Sequence, residues 1–193
     1  NALDPPPVSP NHDDIFHLKI NYNDPTNSGT ALYNGNISQV FWKSDNTDKD
    51  IRGYSYGYDD LNHITSASGR KGADYGNLST YINHELNGLT YDLNGNILTL
   101  ERNGTNEIGT LIGPWDDLTY SYTGNRLENV SDGATLAGLA EEGFYDGNVF
   151  SLSNPIKDYA YDVNGNMVRD LNKGIQHIRY NHLNLPVFIN KDT

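Results

Sequence analysis

Cysteine is absent from the 193 residues, which excludes disulfides, thiolate metal sites and a cysteine nucleophile. Its absence leaves the compartment open. Long apolar runs are missing too: no segment approaches the roughly 20 residues of a transmembrane helix. Basic residues are few. Thirteen Lys and Arg stand against 25 Asp and Glu, a formal charge of −12. A nucleic-acid partner would require a basic stripe that displaces condensed counterions, whereas Arg169, Lys173 and Arg179 are scattered. The acidity also disfavours adsorption to anionic membranes, so neither nucleic acid nor membrane insertion is expected. Apolar residues are sparse at 36%, and mean hydropathy is −0.66. Disorder would need a higher charge than the 20% present, and fewer aromatics than 11%.

Signatures of catalysis are missing as well. No Gly-x-Ser-x-Gly elbow and no G-x-x-x-x-G-K phosphate loop occurs. Carboxylates are adjacent at Asp59-Asp60, Asp116-Asp117 and Glu141-Glu142. Neighbours on a strand point to opposite faces, so these pairs are not set to flank one glycosidic bond. His12 and His17 lie near Asp13 and Asp14, but His177 and His182 are five apart, an odd spacing that separates them on a strand. No cofactor, metal ligand or catalytic residue is assigned.

What the chain does have is tyrosine, glycine and a phrase that recurs. Tyr91-Asp92-Leu93-Asn94-Gly95-Asn96-Ile97 returns as Tyr161-Asp162-Val163-Asn164-Gly165-Asn166-Met167. Looser copies are Tyr58-Asp59-Asp60-Leu61-Asn62-His63-Ile64 and Tyr180-Asn181-His182-Leu183-Asn184-Leu185-Pro186. Shorter ones begin at Tyr33 and Tyr122. A repeat dictates architecture, and this one encodes a hairpin. Asn-Gly predicts a two-residue type I′ turn with positive φ at both central residues, at Asn94-Gly95 and Asn164-Gly165. Asp92 and Asp162, with Asp59 in the equivalent place, are positioned to accept nearby backbone amides. Tyr58, Tyr91, Tyr122, Tyr161 and Tyr180 suit a half-buried sheet face, with an apolar ring and a polar tip. Asp92-Leu93-Asn94-Gly95-Asn96 also begins like a calcium loop. Ile97 and Asn103 stand where that loop requires Gly and Glu, and Met167 and Lys173 do so in the second copy.

Anchor tyrosines at 33, 58, 91, 122, 161 and 180 are too irregularly spaced for a strict propeller or solenoid. They fit a sheet that grows by hairpins of unequal length. The reading is all-β: a hairpin-built antiparallel sheet over residues 15–193. Residues 1–14, with Pro5-Pro6-Pro7, read as an extended linker. Strands are expected at 15–22, 37–43 and 51–58, with strand or helical turn left open at 77–83. Residues 104–117, with Pro114-Trp115, read as a longer excursion, and 118–130 as another hairpin. Residues 131–158 read as a rim insertion, with a short helix at 134–142. Trp42, Trp115 and the tyrosines either pack across strands or stack on sugars.

The iterated Tyr-Asp-x-x-Gly-(Asn/Arg)-(Leu/Ile) phrase resembles the YD repeats of the Rhs family, which also occur in Tc toxin C subunits and teneurins. The stretches 54–62, 118–127 and 180–187 are similar to bacterial Rhs sequence, and the likeness covers about residues 32–190. The resemblance implies a β-sheet that spirals into a hollow shell enclosing a C-terminal toxin of the same secreted or surface-delivered bacterial polypeptide, a weapon of bacterial competition. Further repeats, the C-terminal cargo, secretion machinery and an immunity or chaperone protein are its implied partners. The chain is too short to close such a shell. The family's core-ending Asp-Pro-x-Gly-Leu motif is missing, since neither Asp4-Pro5 nor Asp24-Pro25 leads into Gly-Leu. An internal piece without self-cleavage is therefore expected. The alternative is a cell-surface adhesion or glycan-binding module, as the likeness to teneurins implies.

Overall fold

The computed structural model describes residues 15–26, 29–44, 50–75, 77–78, 80–105, 112–135, 143–146 and 157–191. Among these the chain is all-β. Thirteen strands alternate with turns: β1 (Phe16–Asn21), β2 (Gln39–Ser44), β3 (Ile51–Tyr58), β4 (Ile64–Gly72), β5 (Thr80–Tyr81), β6 (Leu86–Tyr91), β7 (Ile97–Thr105), β8 (Ile112–Thr123), β9 (Arg126–Asp132), β10 (Tyr159–Tyr161), β11 (Met167–Asp170), β12 (Ile175–Tyr180) and β13 (Pro186–Lys191). Pairing runs β1-β2-β3-β4-β6-β7-β8-β9, with β5 on β4, and β10-β11-β12-β13 form a second sheet. Every registered pairing is antiparallel. Neither order returns to its first strand, so the sheets are open and not closed into a barrel. The linker read at 1–14 lies outside the described residues. So does most of the helix read at 134–142, and so do 147–156 of the insertion.

The chain divides into two units, Asn1–Asn87 and Gly88–Thr193. In the first, a small core of Phe41, Ile51, Tyr75 and Leu78 is buried on one side of the β1–β4 ladder. Phe41 stands opposite Gly53 in the β2–β3 register. A Cβ on Gly53 would come within 2.1 Å of the Phe41 ring, so glycine is what lets that ring lie flat on the neighbouring strand. Gln39, 2% exposed, anchors the segment between β1 and β2. Its Oε1 accepts from Thr26 N (2.9 Å), and its Nε2 donates to Thr26 O (2.8 Å) and Ser55 Oγ (2.9 Å). The amide thus serves Thr26 as a strand neighbour would, and a buried polar group is satisfied.

The second unit packs Leu118, Val130 and Tyr159 with Leu100, Tyr120, Leu127, Phe144, Tyr161 and Met167. Here the expected excursion at 104–117 is corrected. β7 runs through Thr105 and β8 begins at Ile112, so Pro114-Trp115 is strand. Proline is tolerated because the register shifts at that point, from Arg102↔Asp116 to Asn103↔Pro114. The bulge leaves Trp115 as the extra residue, with its ring over Gly104. Asp116 is buried and accepts from Arg102 Nε and Phe144 N, both at 2.5 Å. Asp117, its neighbour, is exposed, as alternation requires. Asp158, 1% exposed, ties β10 to β9: its Oδ2 accepts from Val130 N at 2.9 Å.

Candidate functional site: the hairpin tips

The recurring phrase folds into one frame, four times. In residues 59–63, 92–96, 162–166 and 181–185, the N–H of the first residue donates to the carbonyl of the fifth. These distances are 3.0, 2.9, 2.9 and 3.0 Å. The N–H of the fourth donates back to the carbonyl of the first at 3.0–3.1 Å. Only the fourth residue has positive φ: Asn62 (68°), Gly95 (82°), Gly165 (85°) and Asn184 (56°). An i→i+3 bond with two negative-φ central residues, followed by a left-handed residue, is a type I turn with a G1-type bulge. This corrects the two-residue type I′ expectation at Asn94-Gly95 and Asn164-Gly165. Each loop has three residues, and Asn94 and Asn164 keep negative φ. A two-residue loop does occur at Gly124-Asn125, between paired Thr123 and Arg126. There only Gly124 is positive (61°), the mark of type II′.

The first side chain holds each frame from within. Asp59 Oδ1 accepts from Leu61 N and His63 N, at 2.9 and 2.8 Å. Asp92 Oδ1 takes Asn94 N and Asn96 N at 2.8 and 2.9 Å. Asp162 Oδ1 takes Asn164 N and Asn166 N, both at 2.9 Å. Asn181 Oδ1 does the same with Leu183 N and Leu185 N, at 2.9 and 3.1 Å. The second carboxylate oxygen accepts from Asn96 Nδ2 (2.8 Å) in one copy and Asn166 Nδ2 (2.9 Å) in another. His63 Nδ1 takes that place beside Asp59, at 3.0 Å.

These donors hold the carboxyls of all three aspartates below their ordinary value. For Asp92 and Asp162 the carboxamide of the fifth residue is the largest cause, for Asp59 the backbone N–H of His63. With both oxygens engaged by N–H donors, Asp92 and Asp162 are committed to the turn.

Sequence reasoning missed the links between tips. Within the first unit, Asn34 Nδ2 and Asn36 Nδ2 donate to Asn62 Oδ1, at 2.7 and 2.9 Å. Within the second, Asn96 Nδ2 donates to Asn125 Oδ1 (3.1 Å) and Asn166 Nδ2 to Asn184 Oδ1 (2.9 Å). The asparagine that closes one frame reaches the asparagine of the next tip. Recurrence of Asn after Asn-Gly, at Asn36, Asn96 and Asn166, was the available signal.

The anchor tyrosines take related places. Tyr58 and Tyr180 donate their hydroxyls to the carbonyls of Ile37 (2.8 Å) and Met167 (2.7 Å), each the first residue after the preceding turn. Tyr161 packs on the second unit's core. Tyr91 and Tyr122 are half-buried. Burial pushes the Tyr58, Tyr122 and Tyr161 hydroxyls up in pKa. Trp42 stacks on Tyr54, centroids 5.8 Å apart, and Trp115 lies under the Arg102 guanidinium. Between β9 and β10 an open groove is lined by Arg126, Glu128 and Tyr161. Arg126 covers the Tyr161 ring at 5.3 Å, and Lys157 pairs with Glu128.

No family model, curated protein or solved structure matches the chain. Among the described residues no helix is long and apolar enough to cross a membrane.

Proposed function

We propose that this chain is a section of wall in an Rhs-type YD-repeat shell, secreted or surface-delivered by a bacterium. The wall encloses and presents a C-terminal toxin of the same polypeptide. It performs no catalysis itself. One observation carries this reading: the Tyr-Asp phrase is the unit of construction. Four copies close their own turns, and Tyr58 and Tyr180 bond to the first residue after the turn before. A motif whose polar atoms are spent on itself and on its neighbours suits a built surface.

Further support lies at β1 and β13, each at one end of a pairing order. Phe16, Leu18 and Ile20 on β1 are 59, 52 and 42% exposed, and Val187 and Ile189 on β13 are 62 and 56% exposed. A sheet edge with unpaired backbone and bare apolar side chains invites another strand. Further repeats of the same polypeptide are the proposed cover, and secretion machinery or an immunity or chaperone protein are proposed as outer partners. Limited proteolysis of the full reading frame tests the enclosure. The downstream segment should survive protease concentrations that digest it when expressed alone; equal digestion of both would refute the enclosure. A glycan-binding module is the second reading, with the groove between β9 and β10 as its place to act. Tyr161 would serve as the ring platform once Arg126 swung aside.

A further inference from the structure

Asn-Gly occurs five times, at Asn34, Asn87, Asn94, Asn103 and Asn164. Such a pair can modify itself. The glycine amide nitrogen attacks the preceding Asn Cγ. An N–Cγ bond forms, the Cγ–Nδ2 bond breaks, and ammonia leaves with the amide proton. Water then opens the cyclic imide at either carbonyl, giving aspartate or isoaspartate. Glycine permits the attack because nothing on its Cα obstructs ring closure. In a folded chain three conditions remain: the glycine N–H must be unengaged, the side-chain carbonyl must be near and polarised, and space must be open.

The five sites differ in these conditions. Gly95 N and Gly165 N each donate to the carbonyl at the start of their frame, at 3.1 Å. The adjacent carboxylates of Asp92 and Asp162 further oppose loss of an amide proton. Asn87 and Asn103 lie within β6 and β7, and Gly104 is paired with Gly113. At Asn34 the conditions are different. Among the described residues Gly35 N has no hydrogen-bond partner, Gly35 has φ +90°, and no atom lies within 4 Å of where a Cβ would stand. Asn36 N donates to Asn34 Oδ1 at 3.1 Å. That bond folds the carboxamide back over the Gly35 peptide. It also places a donor on the oxygen that becomes negative when the nitrogen adds.

We propose that Asn34 is a self-modifying position, cyclising onto Gly35 N and opening to aspartate or isoaspartate. The consequence is local and irreversible. Asn34 Nδ2 is the atom that donates to Asn62 Oδ1. Its departure as ammonia leaves a carboxylate facing a carbonyl oxygen, two acceptors without a donor. The link between the 33–36 tip and the β3–β4 turn is weakened to the single bond from Asn36.

The test is to age the whole chain at mildly alkaline pH. Aspartate and isoaspartate are then quantified at all five sites by peptide mass spectrometry, with the urea-unfolded chain as reference. One engaged turn bond should slow a site by roughly a factor of ten. Asn34 should therefore lead Asn94 and Asn164 by about that factor in the folded chain. In the unfolded chain the rates should converge. Equal rates at Asn34, Asn94 and Asn164 in the folded chain, or a faster reaction at either of the latter, would overturn the proposal. Asn62→Gly keeps the positive φ of that position while freeing Asn34 Nδ2, and should speed Asn34 alone. An unchanged rate at Asn34 in this variant would contradict the restraint assigned to Asn62.

Discussion

One side-chain oxygen organises each hairpin tip. Because Oδ1 of Asp59, Asp92 and Asp162 accepts two backbone amides, ionisation of these carboxyls and folding are coupled. Their folded pKa values lie below the ordinary 3.8. The sign follows directly. Stability from these groups is fully present above the ordinary value and is lost as pH falls through the lowered one. Carbon-detected titration should give midpoints below 3.8 for all three. Asn181 supplies an internal control, since its amide oxygen holds the same turn without titrating. Amides of Asn94 and Asn96 should lose exchange protection in acid before those of Leu183 and Leu185. Simultaneous loss would show that the carboxylates are not the acid-sensitive element. The Tyr180 hydroxyl makes a second residue-scale test. Tyr180→Phe removes the 2.7 Å bond to Met167 O and should cost about 0.5–1.5 kcal/mol in denaturant unfolding. Tyr33→Phe, at a ring 83% exposed, should cost nearly nothing.

Among elements, the turn carries the most instruction. Two turn types compete at Tyr-Asp-x-Asn-Gly-Asn, and they make opposite demands on Asn94. A type I′ turn needs it left-handed; the observed turn leaves it at negative φ and asks that of Gly95 alone. Gly95→Ala should therefore destabilise the β6–β7 hairpin by about 1–2 kcal/mol, the cost of a left-handed L-residue. Asn94→Ala should stay within about 0.5 kcal/mol, as surface substitutions do. The reverse ranking in thermal or urea unfolding would restore type I′. Asn-Gly alone could not decide the type, because both turns accept it. The deciding residue is Asp92, whose carboxylate reaches Asn94 N and Asn96 N only across a three-residue loop. Pro114 misled for a related reason. Proline argues against strand unless the ladder is bulged there, and the bulge depends on register with β7, which adjacent sequence does not reveal.

For the whole molecule, strand-forming segments and repeat copies were legible because they are local and periodic. Residues 51–58 and the hairpin of β8 and β9 stand where alternation puts them. The buried polar anchors were not legible. Gln39 is held by Thr26 and Ser55, and Asp158 by Val130, at separations no sequence window spans. The asparagine links between tips were hidden for the same reason, since each joins residues 18 to 29 positions apart. What unites these features is that four tips close their own turns and the tips are joined in pairs, 33–36 with 59–63, 92–96 with 124–125 and 162–166 with 181–185. Among the described residues β1 and β13 each pair with a single neighbouring strand, and β13 is exposed at every residue. Hydrogen–deuterium exchange of the β13 amides, in the isolated chain and in the full polypeptide, is the most direct test of the wall. If further repeats continue the sheet, those amides among Val187 to Lys191 that are not bonded to β12 will exchange quickly in isolation and become strongly protected in the parent. Equally fast exchange in both would mean that no strand covers this edge, and the chain would not be part of a continuous wall.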